Sequence, residues 1–337
     1  MASIESFIRA IPKAELHLHI EGTLEPELKF ELAKRNGIDL PYAGVDEMRD
    51  AYDFDDLPSF LTQYYEGMSV LLVEQDFYDL AMAYFTRVGA QNVVYVEMFF
   101  DPQAHTSRGV EFSTVIEGLH RAQTDAQDRL GVASQLIMCF LRDMSVESAA
   151  ETLDRADEYS DWIVGVGLDS DERGNPPIKF TDVFADARSR GYRLTMHCDV
   201  DQEASVEHIW QCLDVIGVER IDHGVNAIED DELCREIVRR GIGLTVCPIS
   251  NSYVTDGSKT DIIVALLERG IKVTVNSDDP AYFPGYIAEN LVRLQHEADL
   301  DTATVVRLVR NAFEISWLEE AHRSDYLARV DAFVGRS

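Results

Sequence analysis

Ala14-Glu15-Leu16-His17-Leu18-His19 closes the first apolar run of the chain, and its reading decides the fold. Strand side chains alternate faces, so His17 and His19 project together, as two imidazole ligands to one metal would. A His-x-His pair also suits an ordinary strand, and its meaning comes from where the other histidines and acids fall. His197 ends the run Tyr192-Arg193-Leu194-Thr195-Met196-His197, and His223 closes Val218-Glu219-Arg220-Ile221-Asp222-His223. Asp278 and Asp279 follow Ile271-Lys272-Val273-Thr274-Val275-Asn276-Ser277. Metal-ligating and acid–base residues recurring at strand C-termini are the arrangement of a (β/α)8 barrel, which keeps its chemistry at that face.

Working outward, eight short apolar runs fall at 14–19, 93–100, 134–140, 163–169, 193–198, 218–223, 243–247 and 271–276. Most are separated by stretches with helical spacing, at 110–130, 145–158, 179–190, 204–216, 229–240 and 259–269. This alternation predicts parallel βαβ units, and eight strands predict an α/β fold closed as a (β/α)8 TIM barrel, with an open doubly wound sheet as the alternative. The Gly165 and Gly167 pair lacks a third glycine opening a helix, which excludes a dinucleotide fingerprint there. No Pro/Gly/Ser-rich linker divides the 337 residues, so residues 1–337 read as a single domain. Residues 24–92 hold more than one crossover helix. They predict a helical insertion after the first strand, part of it a lid or pocket wall. For each of its aromatics taken singly (Tyr52, Phe54, Phe60, Tyr64, Tyr65), packing among themselves is the simpler expectation.

The formal charge is −31, from 30 basic and 61 acidic residues. Such a surface repels nucleic acid and anionic membranes, so neither is expected as a partner. Five cysteines at odd, wide spacing, with no CxxC, suit reduced thiols in a cytoplasmic protein. No signal peptide or membrane span is expected. The pattern leaves the oligomeric state open.

His17, His19, His197 and Asp278 together make a donor set for a hard-to-borderline metal, with Zn2+ the first choice and iron or manganese the alternatives. Metal coordination lowers the pKa of a bound water to near neutrality. His223 is then free to orient that water or to stabilise a developing oxyanion. Asp279 could accept the water's proton or a hydrogen bond from a substrate ring nitrogen. His120, His208 and His296 lie in helical stretches and read as structural, while His105, after the second strand, is placed to approach the mouth.

Four segments now resemble the adenosine/adenine deaminases of the amidohydrolase superfamily. They are Pro12-Lys13-Ala14-Glu15-Leu16-His17-Leu18-His19-Ile20-Glu21-Gly22-Thr23, Ile221-Asp222-His223-Gly224, Cys247-Pro248-Ile249-Ser250-Asn251 and Asn276-Ser277-Asp278-Asp279-Pro280. The resemblance implies one zinc on His17, His19, His197 and Asp278, with His223 assisting the attacking water and Asp279 contacting a purine. The fourth strand offers no lysine for carboxylation, in keeping with one metal per chain. Val96 to Thr106, Gly167-Leu168-Asp169-Ser170 with Pro176-Pro177-Ile178-Lys179-Phe180, and Asp279-Pro280-Ala281-Tyr282-Phe283 look like the free-base, adenine deaminase branch. Gly167, Asp169 and Asp279 are the substrate contacts this implies, and adenine or a related 6-substituted purine is the implied substrate.

One position departs from the family. Three residues after the fifth-strand histidine the family carries a glutamate that shuttles protons, and here that position is Val200. A positioned acid–base group contributes about 10²–10⁴-fold in rate. Asp199, Asp201 or Glu203 is then the replacement. Asp199 lies two residues beyond His197, which on a continued strand gives both the same face. The alternatives are hydrolysis of a different cyclic C–N substrate, or a metal-bound protein that binds a ligand without turnover.

Overall fold

The computed structural model describes residues 3–54, 56–255 and 257–336. Eight parallel strands run in sequential order: β1 (Lys13–Glu15), β2 (Val93–Phe100), β3 (Ala133–Leu141), β4 (Ile163–Asp169), β5 (Arg193–Cys198), β6 (Arg220–His223), β7 (Gly243–Val246) and β8 (Lys272–Val275). The last strand meets the first through the residues beyond β1. Leu16 N–H donates to Asn276 Oδ1 (2.9 Å), Asp278 N–H to the His17 carbonyl (3.2 Å) and His19 N–H to the Asp278 carbonyl (3.1 Å). The architecture is the (β/α)8 barrel. Regular pairing of β1 is shorter than the run 14–19 implies, because Leu18 and His19 make single bridges to Asp278 and Phe99.

The strands are buried almost throughout, as parallel strands covered by crossover helices must be. Five of the expected crossover helices form as single α-helices: Phe112–Leu130, Val146–Ala156, Thr181–Ser189, Asp231–Arg240 and Thr260–Glu268. Asp231–Arg240 illustrates the local cause. Asp230 accepts from the N–H groups of Glu232 and Leu233, and Gly241 ends the helix at φ +71°. The stretch 204–216 is not one α-helix: Ser205–Gln211 gives way to a π-helical turn over Cys212–Ile216.

The interior between the strands is partly polar. Thr195 and Thr245 donate to Asp222, and Glu97 accepts from Arg220, Tyr95 and the backbone N–H of Trp317. Trp317, under the Arg220 guanidinium at 4.4 Å, packs against this charged cluster.

The insertion after β1 is helical, with Pro26–Asn36, Val45–Asp50, Leu57–Gly67 and Glu74–Gly89. Glu74–Gly89 packs on Phe112–Leu130 as an ordinary crossover helix would. Leu57–Gly67 opens on a reciprocal cap between Asp56 and Ser59 and turns Leu57, Phe60, Leu61, Tyr64 and Tyr65 into the cavity at the barrel mouth. The expectation that these aromatics pack only among themselves therefore fails for Phe60, Tyr64 and Tyr65, which do both. Tyr52 and Phe54 stay off the cavity wall but also pack beyond the insertion, Tyr52 stacked on Tyr282 at 4.8 Å and Phe54 edge-on to Phe283 at 5.7 Å. Among the described residues no helix is long and apolar enough to cross a membrane, and all five cysteines are buried and unbridged.

Candidate active site

The residues that leave β1, β5 and β8 bring four donor atoms to one point. His197 Nε2 lies 3.1 Å from His17 Nε2 and 3.0 Å from His19 Nε2, while Asp278 Oδ1 lies 3.1 Å from His17 Nε2 and 3.6 Å from His19 Nε2. Ligands about 2.0–2.1 Å from a tetrahedral centre stand ~3.3 Å from one another. The tautomers point the same way. His197 Nδ1 is 3.1 Å from the Leu168 carbonyl, which can only accept, so the proton sits on Nδ1 and Nε2 offers its lone pair inward. His17 Nδ1 is 2.9 Å from Thr245 Oγ1, whose own proton goes to Asp222 Oδ1 at 2.8 Å. Lone pairs and a carboxylate converging in a buried space repel one another unless a cation sits among them, so the donor set fits a divalent metal.

The electrostatics agree. Burial presses His19 down to about 3 and His197 well below the usual imidazole range, so both are neutral, as ligands must be. Burial works against the Asp278 carboxylate, but His17 and His223 hold it well below its ordinary value. His17 runs the other way: despite its burial, Asp278 raises it, an attraction that a bound cation would take over. His223 belongs to the same cluster, its ring 4.6 Å from that of His17 and its Nε2 3.8 Å from Asp278 Oδ2, so it stands beside the four donors.

His223 and Asp278 share an unusual backbone. Both are non-glycine residues in the left-handed region, at φ +56° and +65°. Such strain at a strand end persists only where the surroundings hold it, and it re-aims the side chain into the mouth. Burial lowers His223 to about 4. Ser250, from the Cys247-Pro248-Ile249-Ser250-Asn251 segment, donates to Asp278 Oδ2 at 2.6 Å, and Asn251 lines the cavity near by. No role was readable for Ser250 from spacing; its only signal was membership of a matching segment.

The candidates for the missing glutamate separate cleanly. Asp199 lines the cavity with Oδ1 3.3 Å from His223 Nε2. Burial, with the Glu172 carboxylate beside it, pushes the Asp199 carboxyl well above its ordinary value. Asp201 faces away: it is exposed, pairs with Lys259, accepts from Asn226 Nδ2 at 3.0 Å, and is absent from the cavity wall. Glu203 is exposed and equally remote from the wall. Val200 lines the cavity with an apolar side chain.

Asp279 is buried with Oδ1 unpartnered at the cavity wall, and burial raises its carboxyl well above the usual range. Gly22 makes this placement possible, since a Cβ there would lie 2.0 Å from Asp279 Oδ1. Asp169 lines the cavity beside His19, whose Nδ1 is 3.4 Å from its Oδ2. Asp101 joins it, receiving Tyr64 Oη at 3.2 Å, and burial raises Asp101 to about 8. His105 does not reach the cavity; it stops at Glu21, 2.9 Å away. Gly167 also departs from expectation. It does not line the cavity, and the space of its missing side chain is taken by Cys139 Sγ, 2.6 Å from where a Cβ would stand. Its missing side chain makes room for Cys139 on the neighbouring strand β3.

Comparison with known proteins bears on the whole chain. Residues 12–333 match the adenosine deaminase family model. An uncharacterised deaminase of Schizosaccharomyces pombe is 52% identical over 99% of both chains. An adenine deaminase of Hahella chejuensis is 50% identical, over 98% of this chain and 99% of its own. Among solved structures, the adenine deaminase from Arthrobacter aurescens superposes with a TM-score of 0.93 at 43% identity, covering 97% of this chain and 100% of its own. Likeness of this extent, running through the strand ends that carry the converging imidazoles, makes the chain a member of the adenosine deaminase family, the metal-dependent purine deaminases.

Proposed function

We propose that the chain hydrolyses adenine, or a related 6-substituted purine, to hypoxanthine and ammonia or amine, with one zinc ion per chain. The observation that carries this reading is that two carboxyls, Asp199, half-buried, and Asp279, buried, open into the same cavity as the four converging donors, both with their proton affinity raised. Held by His17, His19, His197 and Asp278, a divalent cation would supply a water acidified to near neutrality and a positive charge for the developing oxyanion. Three imidazoles and one carboxylate are a donor set that would suit zinc.

The chain's own residues account for the proton movements. Asp199 Oδ1 is within reach of His223 Nε2, so a proton can pass between them. Asp199 holds its proton tightly enough to deliver it to a purine ring nitrogen, and the resulting carboxylate can collect a proton for the leaving amine. His223 is a neutral imidazole at neutral pH and can orient or deprotonate the attacking water. Asp279, whose burial favours the protonated form, can bond another ring nitrogen through its unpartnered oxygen. Phe60, Tyr64 and Phe283 wall the cavity against water.

The reading of a different substrate, or of binding without turnover, drew its motive from Val200. Asp199 in the cavity supplies a proton donor and removes that motive. Adenine over adenosine is supported by relatives named adenine deaminase at 43–50% identity. Ammonia release from equal concentrations of the two compounds tests it. Adenine is expected to turn over faster; faster turnover of adenosine sinks the free-base assignment.

A further inference from the structure

The chain leaves β5 through His197-Cys198-Asp199 and enters a loop with two non-glycine residues in the left-handed region, Asp201 (φ +56°) and Ala204 (φ +63°). Such a path is not favoured by its own residues and must be held from outside. The hold comes from two buried side chains distant in sequence. Arg142, just beyond β3, donates from Nη1 to the His197 carbonyl at 2.9 Å. Glu172, in the loop after β4, accepts the Asp199 N–H at 2.8 Å. The two stand 3.5 Å apart, so the two groups gripping the strand end also neutralise one another. The second oxygen of Glu172 meets Nδ1 of His208, on the helix into which the loop runs.

The anchoring extends one step further. Arg142 Nε donates to the Asn175 carbonyl at 2.9 Å, and Lys179 Nζ donates to the Arg142 carbonyl at 2.9 Å and to Asn175 Oδ1 at 2.8 Å. The Pro176-Pro177-Ile178-Lys179 segment thus fixes Arg142. None of Arg142, Glu172 and His208 lines the cavity, and all three are buried, at 0%, 1% and 7% exposure. A buried carboxylate accepting a backbone N–H makes a strong, directional hydrogen bond, and it tolerates burial only while its partners stay in place.

We propose that Glu172, backed by Arg142 and His208, is the positioning residue that sets Asp199 against His223 and the substrate. This rests on the reading of Asp199 as proton carrier. Glu172 touches no reacting atom; it acts directly on the Asp199 backbone and, by way of Arg142, on the His197 carbonyl, so a turnover loss is assigned to Asp199 only at equal metal content.

A double-mutant cycle tests it, with adenine kinetics and metal content measured for Glu172→Ala, Asp199→Asn and the pair. Glu172→Ala is expected to lower kcat by about 10²-fold, the cost of a misplaced catalytic group, with KM nearly unchanged and metal retained. Glu172→Gln, whose amide oxygen can still accept the Asp199 N–H, is expected to recover most of that loss. In the Asp199→Asn background Glu172→Ala should cost nothing further, because the group it positions is already disabled. If Asp199→Asn is disabling and the two losses multiply, or if Glu172→Ala raises KM and leaves kcat alone, the positioning role is overturned. If Asp199→Asn keeps full activity, the Asp199 reading falls and takes this one with it. Should Glu172→Ala not fold, His208→Ala carries the same cycle: a kcat loss that vanishes in the Asp199→Asn background supports the role, and a multiplying loss overturns it.

Discussion

Replacing Gly22 by alanine adds one methyl group, and the structure says where it goes. The new Cβ would stand 2.0 Å from Asp279 Oδ1, 2.7 Å from its Cγ and 2.8 Å from its Cα. Non-bonded atoms settle at about 3.5 Å, so the Asp279 carboxyl must retreat by roughly 1.5 Å and its Cα by about 0.7 Å. Gly22 is not in the left-handed region, so alanine meets no backbone strain of its own and the whole cost is the collision. A misplacement of about 1 Å in a positioned catalytic group costs on the order of 10²-fold in rate, equivalent to about 2.7 kcal/mol in the barrier. Gly22→Ala is therefore expected to fold, to keep its metal, and to lose about 10²-fold in kcat/KM for adenine. Because Asp278 adjoins Asp279, metal per chain is measured beside steady-state kinetics and thermal unfolding. A metal-replete variant with a rate near that of the wild type would refute the role given to Asp279. Loss of metal together with activity would move the effect to Asp278.

Other perturbations address the rest of the site. Val200→Glu places a second carboxylate in a cavity already served by Asp199, so adenine turnover is expected to fall; a rise would show that Asp199 is not the proton carrier. Chelation should abolish ammonia release and lower the unfolding temperature, since the converging lone pairs and the Asp278 carboxylate lose the charge that reconciles them, and zinc should restore both; full activity after verified metal removal would refute the site. Asp76 is fully buried and accepts from the N–H groups of Leu72 and Val73 and from Arg35 and Asn36; burial works to raise its carboxyl, but these donors bring it below its ordinary value. Asp76→Asn should destabilise the protein at neutral pH by about 1–3 kcal/mol. A depressed folded value means that this stability is present above the unfolded carboxylate value of about 4 and is lost as pH falls through the folded one. The gap between wild type and variant in denaturant unfolding should therefore close in acid, and a gap constant across that range would contradict the assignment.

The sequence by itself determined the barrel. Strand periodicity and strand-end position are local properties: two-residue alternation aligns His17 with His19, and the recurrence of His197, His223 and Asp278 after apolar runs marks one functional face. The same locality explains what stayed hidden. Two-residue alternation gives Asp199 the face of His197 only if the strand continues, and the left-handed turn at Asp201, with the grip of Arg142 and Glu172 on the strand end, is what sends Asp199 into the cavity and Asp201 out to Lys259. Gly167 read as a ligand contact because its segment matched, whereas its lack of a side chain answers to Cys139 on the neighbouring strand. The aromatics of Leu57–Gly67 could be placed in a wall only once that helix was docked over the mouth. Ser250 acquires a role only because the residues after β7 come beside Asp278. Which way a loop side chain points is settled by partners tens to hundreds of residues away, so tertiary structure alone decided it.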